Sequence, residues 1–150
     1  MRVCIDTTIL LDILKDECKS FQDKLYTALA RREDLVAPPV VFAELMPQFR
    51  GNTKLLGEFL EEHKILIEPL DVDSAVAASQ AWRKYLKQKT KVKCPKCGQE
   101  LNLKEHFLSD FYIGGFASAK CSAILTRDRG LYLKYFPDLV GYEDCLKASY

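Results

Sequence analysis

An α/β sandwich around a parallel sheet is the fold class that this 150-residue sequence predicts. Three observations predict it. Short apolar runs rich in β-branched residues recur at 2–5, 35–37, 65–67 and 123–126, and segments of helix-favouring composition fill the gaps between them. Strands that alternate with helices in this way pair in parallel through right-handed crossovers.

The first run, residues 2–5, reads as a buried strand that stops on Asp6, and a helix is predicted over 8–16 with a second over 19–32. Leu35-Val36-Ala37 is a short strand, after which Pro38-Pro39 allows a helix to begin with proline in its first turn. That helix is predicted over 39–49, with Gly51-Asn52 ending it. Helices follow over 53–63 and 72–90, separated by the strand Ile65-Leu66-Ile67 and by Asp71-Val72-Asp73-Ser74, which offers N-cap candidates. Residues 91–105 break the alternation with a Cys-Pro-Lys-Cys-Gly turn and read as an insertion, before a helix over 107–120 and a strand at 123–126. The whole of 1–150 is expected to be one domain, large enough to bury a core without staples.

Composition narrows the function classes. With 48% apolar and 29% charged residues the chain has the make-up of a globular protein. No apolar run approaches the roughly 20 residues of a membrane span, and Met1-Arg2-Val3 leads into a strand rather than a signal peptide, so a cytoplasmic location is expected. Six cysteines do not read as a disulfide framework, because Cys4 and Cys121 sit in or beside apolar runs and Cys94-x2-Cys97 has metal-ligand spacing. The net charge of +1 conceals an asymmetry: residues 83–104 hold eight Lys/Arg against Glu100. That segment is the candidate for contacting a nucleic-acid backbone, and an ordinary solvated face accounts for it nearly as well.

Four carboxylates stand out. Ligands of open parallel sheets bind at the carboxyl ends of strands, where Asp6 follows the first strand and Asp128 follows Ala-Ile-Leu-Thr. Each alone serves equally as a helix cap or turn residue. Asp110 lies in Phe-Leu-Ser-Asp-Phe-Tyr-Ile-Gly-Gly-Phe-Ala, a helix apolar on nearly every side, unless Ser109 or Asp110 caps its start. Glu44 is the one charged group in Val-Val-Phe-Ala-Glu-Leu-Met, or else marks a narrow polar stripe. If the four converge, either pKa values rise or a divalent cation binds, and oxygen-only ligands favour Mg2+ or Mn2+ over zinc. Such an ion suits phosphodiester hydrolysis.

The stretches CIDTTILLDIL, PPVVFAEL, FLSDFYIGGFA and AILTRDRGLYLKYFPDL resemble the sequence blocks of PIN-domain ribonucleases, most closely their VapC-like toxin branch, over almost the whole chain. The resemblance implies a three-layer α/β/α sandwich with a central parallel sheet, and metal-dependent endonucleolytic cleavage of RNA. It places Asp6, Glu44, Asp110 and Asp128 at the family's acidic positions, binding Mg2+ or Mn2+, with Thr7 or Thr8 and Thr126 as small polar residues near the metal. Helix N-cap for Thr7 and Thr8, and strand end for Thr126, are equally open readings. It further implies a homodimer silenced by a small antitoxin protein, as in a type II toxin–antitoxin pair. A housekeeping RNA-processing nuclease and a non-catalytic RNA- or protein-binding module remain alternatives. A phosphoaspartate receiver would want adjacent acids after the first strand, and a haloacid-dehalogenase-like phosphatase would want D-x-D where position 8 is Thr.

The insertion departs from a minimal PIN domain. Cys94 and Cys97 supply two of the four ligands that zinc takes, His106 is a candidate third, and Cys121 or Cys18 joins only if the fold brings it near. A pair of chains could instead each lend two cysteines. His106 is otherwise a surface residue at a helix start, His63 is expected in solvent near a helix end, and Asp138 in Phe-Pro-Asp-Leu reads as a turn residue.

Overall fold

The computed structural model describes residues 1–88, 92–101 and 108–148. In chain order the elements are β1 (Arg2–Ile5), α1 (Thr7–Lys15), α2 (Lys19–Ala30), β2 (Asp34–Ala37), α3 (Pro39–Leu45) with a 3-10 turn (Met46–Phe49), α4 (Thr53–Glu62) and β3 (Ile65–Ile67). There follow α5 (Val72–Gln88), β4 (Val92–Lys93), β5 (Glu100–Leu101), α6 (Leu108–Lys120), β6 (Ala123–Leu125), α7 (Arg129–Tyr135) and α8 (Tyr142–Lys147).

The main sheet has the order β3-β2-β1-β6, with every pair parallel. Cys4 sits between Val36 and Ile124 in the register, so β1 is interior. All of Val3–Ile5, Leu35–Ala37 and Ala123–Leu125 are buried, which requires cover on both faces of the sheet and gives the three-layer α/β/α sandwich. The chain steps outward from β1 through β2 to β3, then returns to place β6 on the other side of β1. The order of winding therefore reverses between β1 and β6, and the crevice at their carboxyl ends is where such sheets bind ligands.

Local chemistry explains the boundaries. Pro39 stands at the first turn of α3, as the sequence predicts. The predicted helix over 39–49 is split, because Pro47 lacks an N–H and cannot continue the α-helical ladder, and the chain tightens into a 3-10 turn that ends on Arg50 at φ +51°. Asn52 then caps α4 by accepting from Leu55 N–H at 3.1 Å, and Asp71 caps α5 by accepting from Ser74 N–H at 2.9 Å. Two elements are not predicted by the sequence pattern: α7 and α8, of seven and six residues, are too short for a helical period to show. His63, expected in solvent, is only 8% exposed: its Nδ1 lies 2.8 Å from the Phe59 carbonyl oxygen and its ring packs 4.5 Å from that of Phe59. Asp138 is exposed in a turn, as predicted. No helix among the described residues is long and apolar enough to cross a membrane.

Helices α5 and α6 make the most extensive helix–helix contact, and small residues set its closeness. A Cβ at Gly115 would lie 2.4 Å from the Ser74 carbonyl oxygen and 2.7 Å from the Ala78 nitrogen, both backbone atoms of α5. At the start of α6, Phe111 is fully buried with its ring 5.0 Å from Trp82, 5.3 Å from Tyr85 and 5.5 Å from Tyr135. These aromatic contacts tie α6 to α5 and α7. Gly115→Ala forces the two helices apart and is expected to lower unfolding free energy by about 1–3 kcal/mol in urea denaturation; an unchanged midpoint would show that the close approach carries no stability.

Candidate active site at the carboxyl edge of the sheet

Asp6 occupies the N-cap position of α1 in extended conformation, yet its side chain makes no capping hydrogen bond. Its Oδ2 instead accepts from Thr8 Oγ1 at 2.7 Å and from Thr126 Oγ1 at 2.6 Å, and Tyr132 OH stands 3.4 Å from Oδ1. Thr126 directly follows β6 and Tyr132 lies on α7, so the pairing of β6 with β1 delivers both to Asp6. The residue is 3% exposed. Burial, opposed by the Thr126 and Thr8 hydrogen bonds and then reinforced by the charges of Asp110 and Glu44, pushes its carboxyl up to about 6.

The other acids reach the same edge by different routes. Glu44, half-buried on α3, accepts a hydrogen bond from Thr7 Oγ1, which ties α3 to the start of α1. Asp110 is half-buried in the first turn of α6, where the helix dipole favours a negative charge. Asp128 is the N-cap of α7, accepting from Leu131 N–H at 3.3 Å, while its own N–H donates to Thr126 Oγ1 at 3.0 Å. The cap reading of Asp128 is thus realised, whereas that of Asp6 is not. Burial and the negative charges of Asp6, Asp110 and Asp128 hold the Tyr132 phenol well above its ordinary range. Asp6 thus feels Asp110 and Glu44, and Tyr132 feels Asp6, Asp110 and Asp128.

The donor set is composed of hard oxygen atoms, which fits Mg2+ or Mn2+ and not a soft metal. Among the described residues no three His, Cys, Asp or Glu side chains stand as a closed ligand set for one ion. Mg2+ does not require one, since it keeps several waters and takes one or two carboxylates directly. Asp6 and the acids whose charge it feels, Asp110 and Glu44, are the residues that would supply such carboxylates. The soft-ligand candidates are not gathered: Cys121 is engaged by Cys4 and Arg2, Cys18 is exposed at the start of α2, and His106 lies outside the described residues.

No protein-family model matches the chain, and no curated protein matches it. Among solved structures it is similar to a chain of VapBC2 from Rickettsia felis, crystallised bound to a DNA fragment from their promoter, with a TM-score of 0.64 over 93% of this chain and 96% of that one. The fold is PIN-like. At 14% identity the likeness is one of architecture.

Two participants escape sequence reading. Tyr132 looks like an ordinary residue of an apolar helix until β6 brings α7 beside Asp6. Asp12, on the buried side of α1 and 1% exposed, accepts from Arg127 Nη1 at 2.7 Å, while Arg127 N–H donates to Thr8 Oγ1 at 3.3 Å. Arg127 is thereby fastened to α1 through two contacts, beside the bond of Thr126 to Asp6. The other oxygen of Asp12 is buried without a partner, so removing Arg127 would leave the whole carboxylate unsatisfied. Arg127 is itself 43% exposed, which screens the pair. Arg127→Ala is expected to cost about 1–2 kcal/mol in chemical denaturation, and a loss below about 0.3 kcal/mol would mark the pair as a surface contact.

Asp6 also sets a pH dependence. Its carboxyl stands at about 6 in the folded chain against an ordinary 3.8, so between these values the folded state holds a proton that the unfolded state has lost. This contribution is fully present below pH 4 and is lost as pH rises through about 6, a span worth about 3 kcal/mol. With chelator present, Asp6→Asn should remove the decline and raise stability at pH 7; identical pH profiles for the two proteins would contradict the burial of charge at Asp6.

Proposed function

We propose that the protein is a Mg2+- or Mn2+-dependent endoribonuclease, the toxin of a type II toxin–antitoxin pair. The observation that carries this reading is the burial of Asp6 beside the β1–β6 switch point, where it accepts from Thr8 and Thr126 and feels the charges of Asp110 and Glu44. The architectural likeness to a VapBC2 chain supports the toxin assignment, and the sequence blocks around the four acids support RNA as the substrate. A divalent ion bound there supplies charge stabilisation for a phosphodiester under attack by water.

The chain's own residues divide the remaining work. Thr8 and Thr126 fix both the position and the ionisation of Asp6, since their hydroxyls favour the charged form that burial opposes. Thr7 holds Glu44. Tyr132, kept neutral, is a donor aimed at the second oxygen of Asp6. The exposed cations Arg83, Lys84, Lys87 and Lys96 offer phosphate contacts that depend on salt. A homodimer and a small antitoxin complete the assembly, the antitoxin placing a basic or aromatic side chain among the acids in competition with the metal.

The test is cleavage of labelled RNA by the purified protein with Mg2+ or Mn2+. Asp6→Asn and Asp110→Asn should each reduce the rate by more than about 100-fold, and Thr126→Val by about 10- to 100-fold, the range for residues that orient metal ligands. Chelator should abolish cleavage, and expression in a host cell should arrest growth unless Asp128→Asn is introduced. Full cleavage by both Asp variants sinks the nuclease reading, whereas cleavage without growth arrest favours a housekeeping enzyme over a toxin.

A further inference from the structure

Cys94 and Cys97 take no part in the acidic site, and the fold builds a specific turn around them. Strands β4 and β5 form an antiparallel hairpin in which Val92 faces Leu101 and Lys93 faces Glu100. Two backbone bonds close its loop: Cys94 N–H donates to the Gln99 carbonyl oxygen at 2.8 Å, and Gly98 N–H to the Cys94 carbonyl oxygen at 2.9 Å. Gly98 turns the chain at φ +71°, in the left-handed region that side chains disfavour. Inside the loop the backbone N–H groups of Lys96 and Cys97 hold the Cys94 thiol below its ordinary range, and the Cys97 thiol lies 4.0 Å from Gln99 Oε1 as its donor. N–H groups converging on a sulfur favour thiolate, the form in which cysteine binds metal.

Zinc in structural sites takes four ligands, and Cys-x2-Cys supplies two. Among the described residues no third His, Cys, Asp or Glu joins the pair. Cys4 is fully buried in β1 and Cys121 is engaged by it. Residues 95–99 are all exposed, so the open side of the pair faces solvent and is accessible to another molecule.

We propose that the Cys94–Cys97 hairpin binds zinc together with the same hairpin of a second copy of this chain, one tetrathiolate ion joining two chains. The partner must bring two further thiolates on an accessible turn, and a second copy of this exposed hairpin brings them. Four thiolates around Zn2+ carry a net charge of −2, and each chain brings eight Lys/Arg in residues 83–104 against Glu100. Two such basic segments repel one another, and the anionic centre offsets part of that repulsion, so pairing of the hairpins depends on zinc. The site is independent of the acids at the sheet edge, and its fate does not decide the nuclease reading.

The full chain is reconstituted with Zn2+ alone, freed of unbound metal, and analysed by elemental mass spectrometry and by light scattering in the same fraction. The expected result is one zinc per two chains, with a mass that halves when the metal is stripped by chelator. Cys94→Ser and Cys97→Ser, with circular dichroism unchanged, should each lose the zinc and the zinc-dependent doubling of mass. One zinc per chain with no change in mass, and loss of that zinc in His106→Ala, would overturn the bridge by completing the site within a single chain. Absence of bound zinc, or its retention in both serine variants, would overturn the site itself.

Discussion

The structure turns on a carboxylate that sits where a helix cap belongs and does not cap. Asp6 stands at the N-cap of α1, a position at which an aspartate ordinarily accepts an N–H of the first turn. Here its backbone carbonyl takes the Ile9 N–H at 3.1 Å, and its side chain is drawn away by Thr8 and Thr126. The diversion needs a hydroxyl from β6, available only because β6 lies against β1 rather than outside β3. Topology therefore determines what Asp6 does: the same residue beside a different strand would be an ordinary cap.

Three effects compete at that carboxylate, and their order decides its state. Hydrogen bonds from Thr126 and Thr8 favour the ionised form, desolvation disfavours it more strongly, and the charges of Asp110 and Glu44 add to the desolvation. Burial wins. The result is a carboxylate whose charge the fold opposes, most of all above about pH 6. A cation bound there, as proposed, would relieve the repulsion and stabilise the folded state by mass action. A site of this kind lowers the stability of the empty fold in exchange for affinity, the usual relation between strained functional residues and stability.

The periodic and the punctuated parts of this fold were legible in the sequence. Pro39 opens α3 as predicted, and the apolar runs are the four strands of the sheet. What could not be read depends on partners far along the chain. Asp6 and Asp128 both occupy N-cap positions, and only Asp128 caps, because the competitor for Asp6 is Thr126, 120 residues away. Asp12 and Arg127 are separated by 115 positions and neither stands in a motif. His63 looked like a polar helix end, but Phe59 on the preceding turn offers it both a carbonyl and a ring. Helices α7 and α8 are too short for any period to declare them, and with α7 hidden Tyr132 was hidden too.

The position of Asp110 shows how packing remote from the edge enters its chemistry. Asp110 precedes Phe111, whose ring is held among Trp82, Tyr85 and Tyr135, and α6 is drawn against the α5 backbone at Gly115. The separation between Asp110 and Asp6 is thus set by van der Waals contacts of residues that bear no charge. Coulomb energy falls with distance and with rising effective dielectric, so loosening α5 from α6 both moves Asp110 and admits water beside it. Either change weakens the part of the push on Asp6 that comes from charge, while burial, its first cause, stays. The close approach of two helix backbones is in this sense part of the acid–base chemistry of the sheet edge.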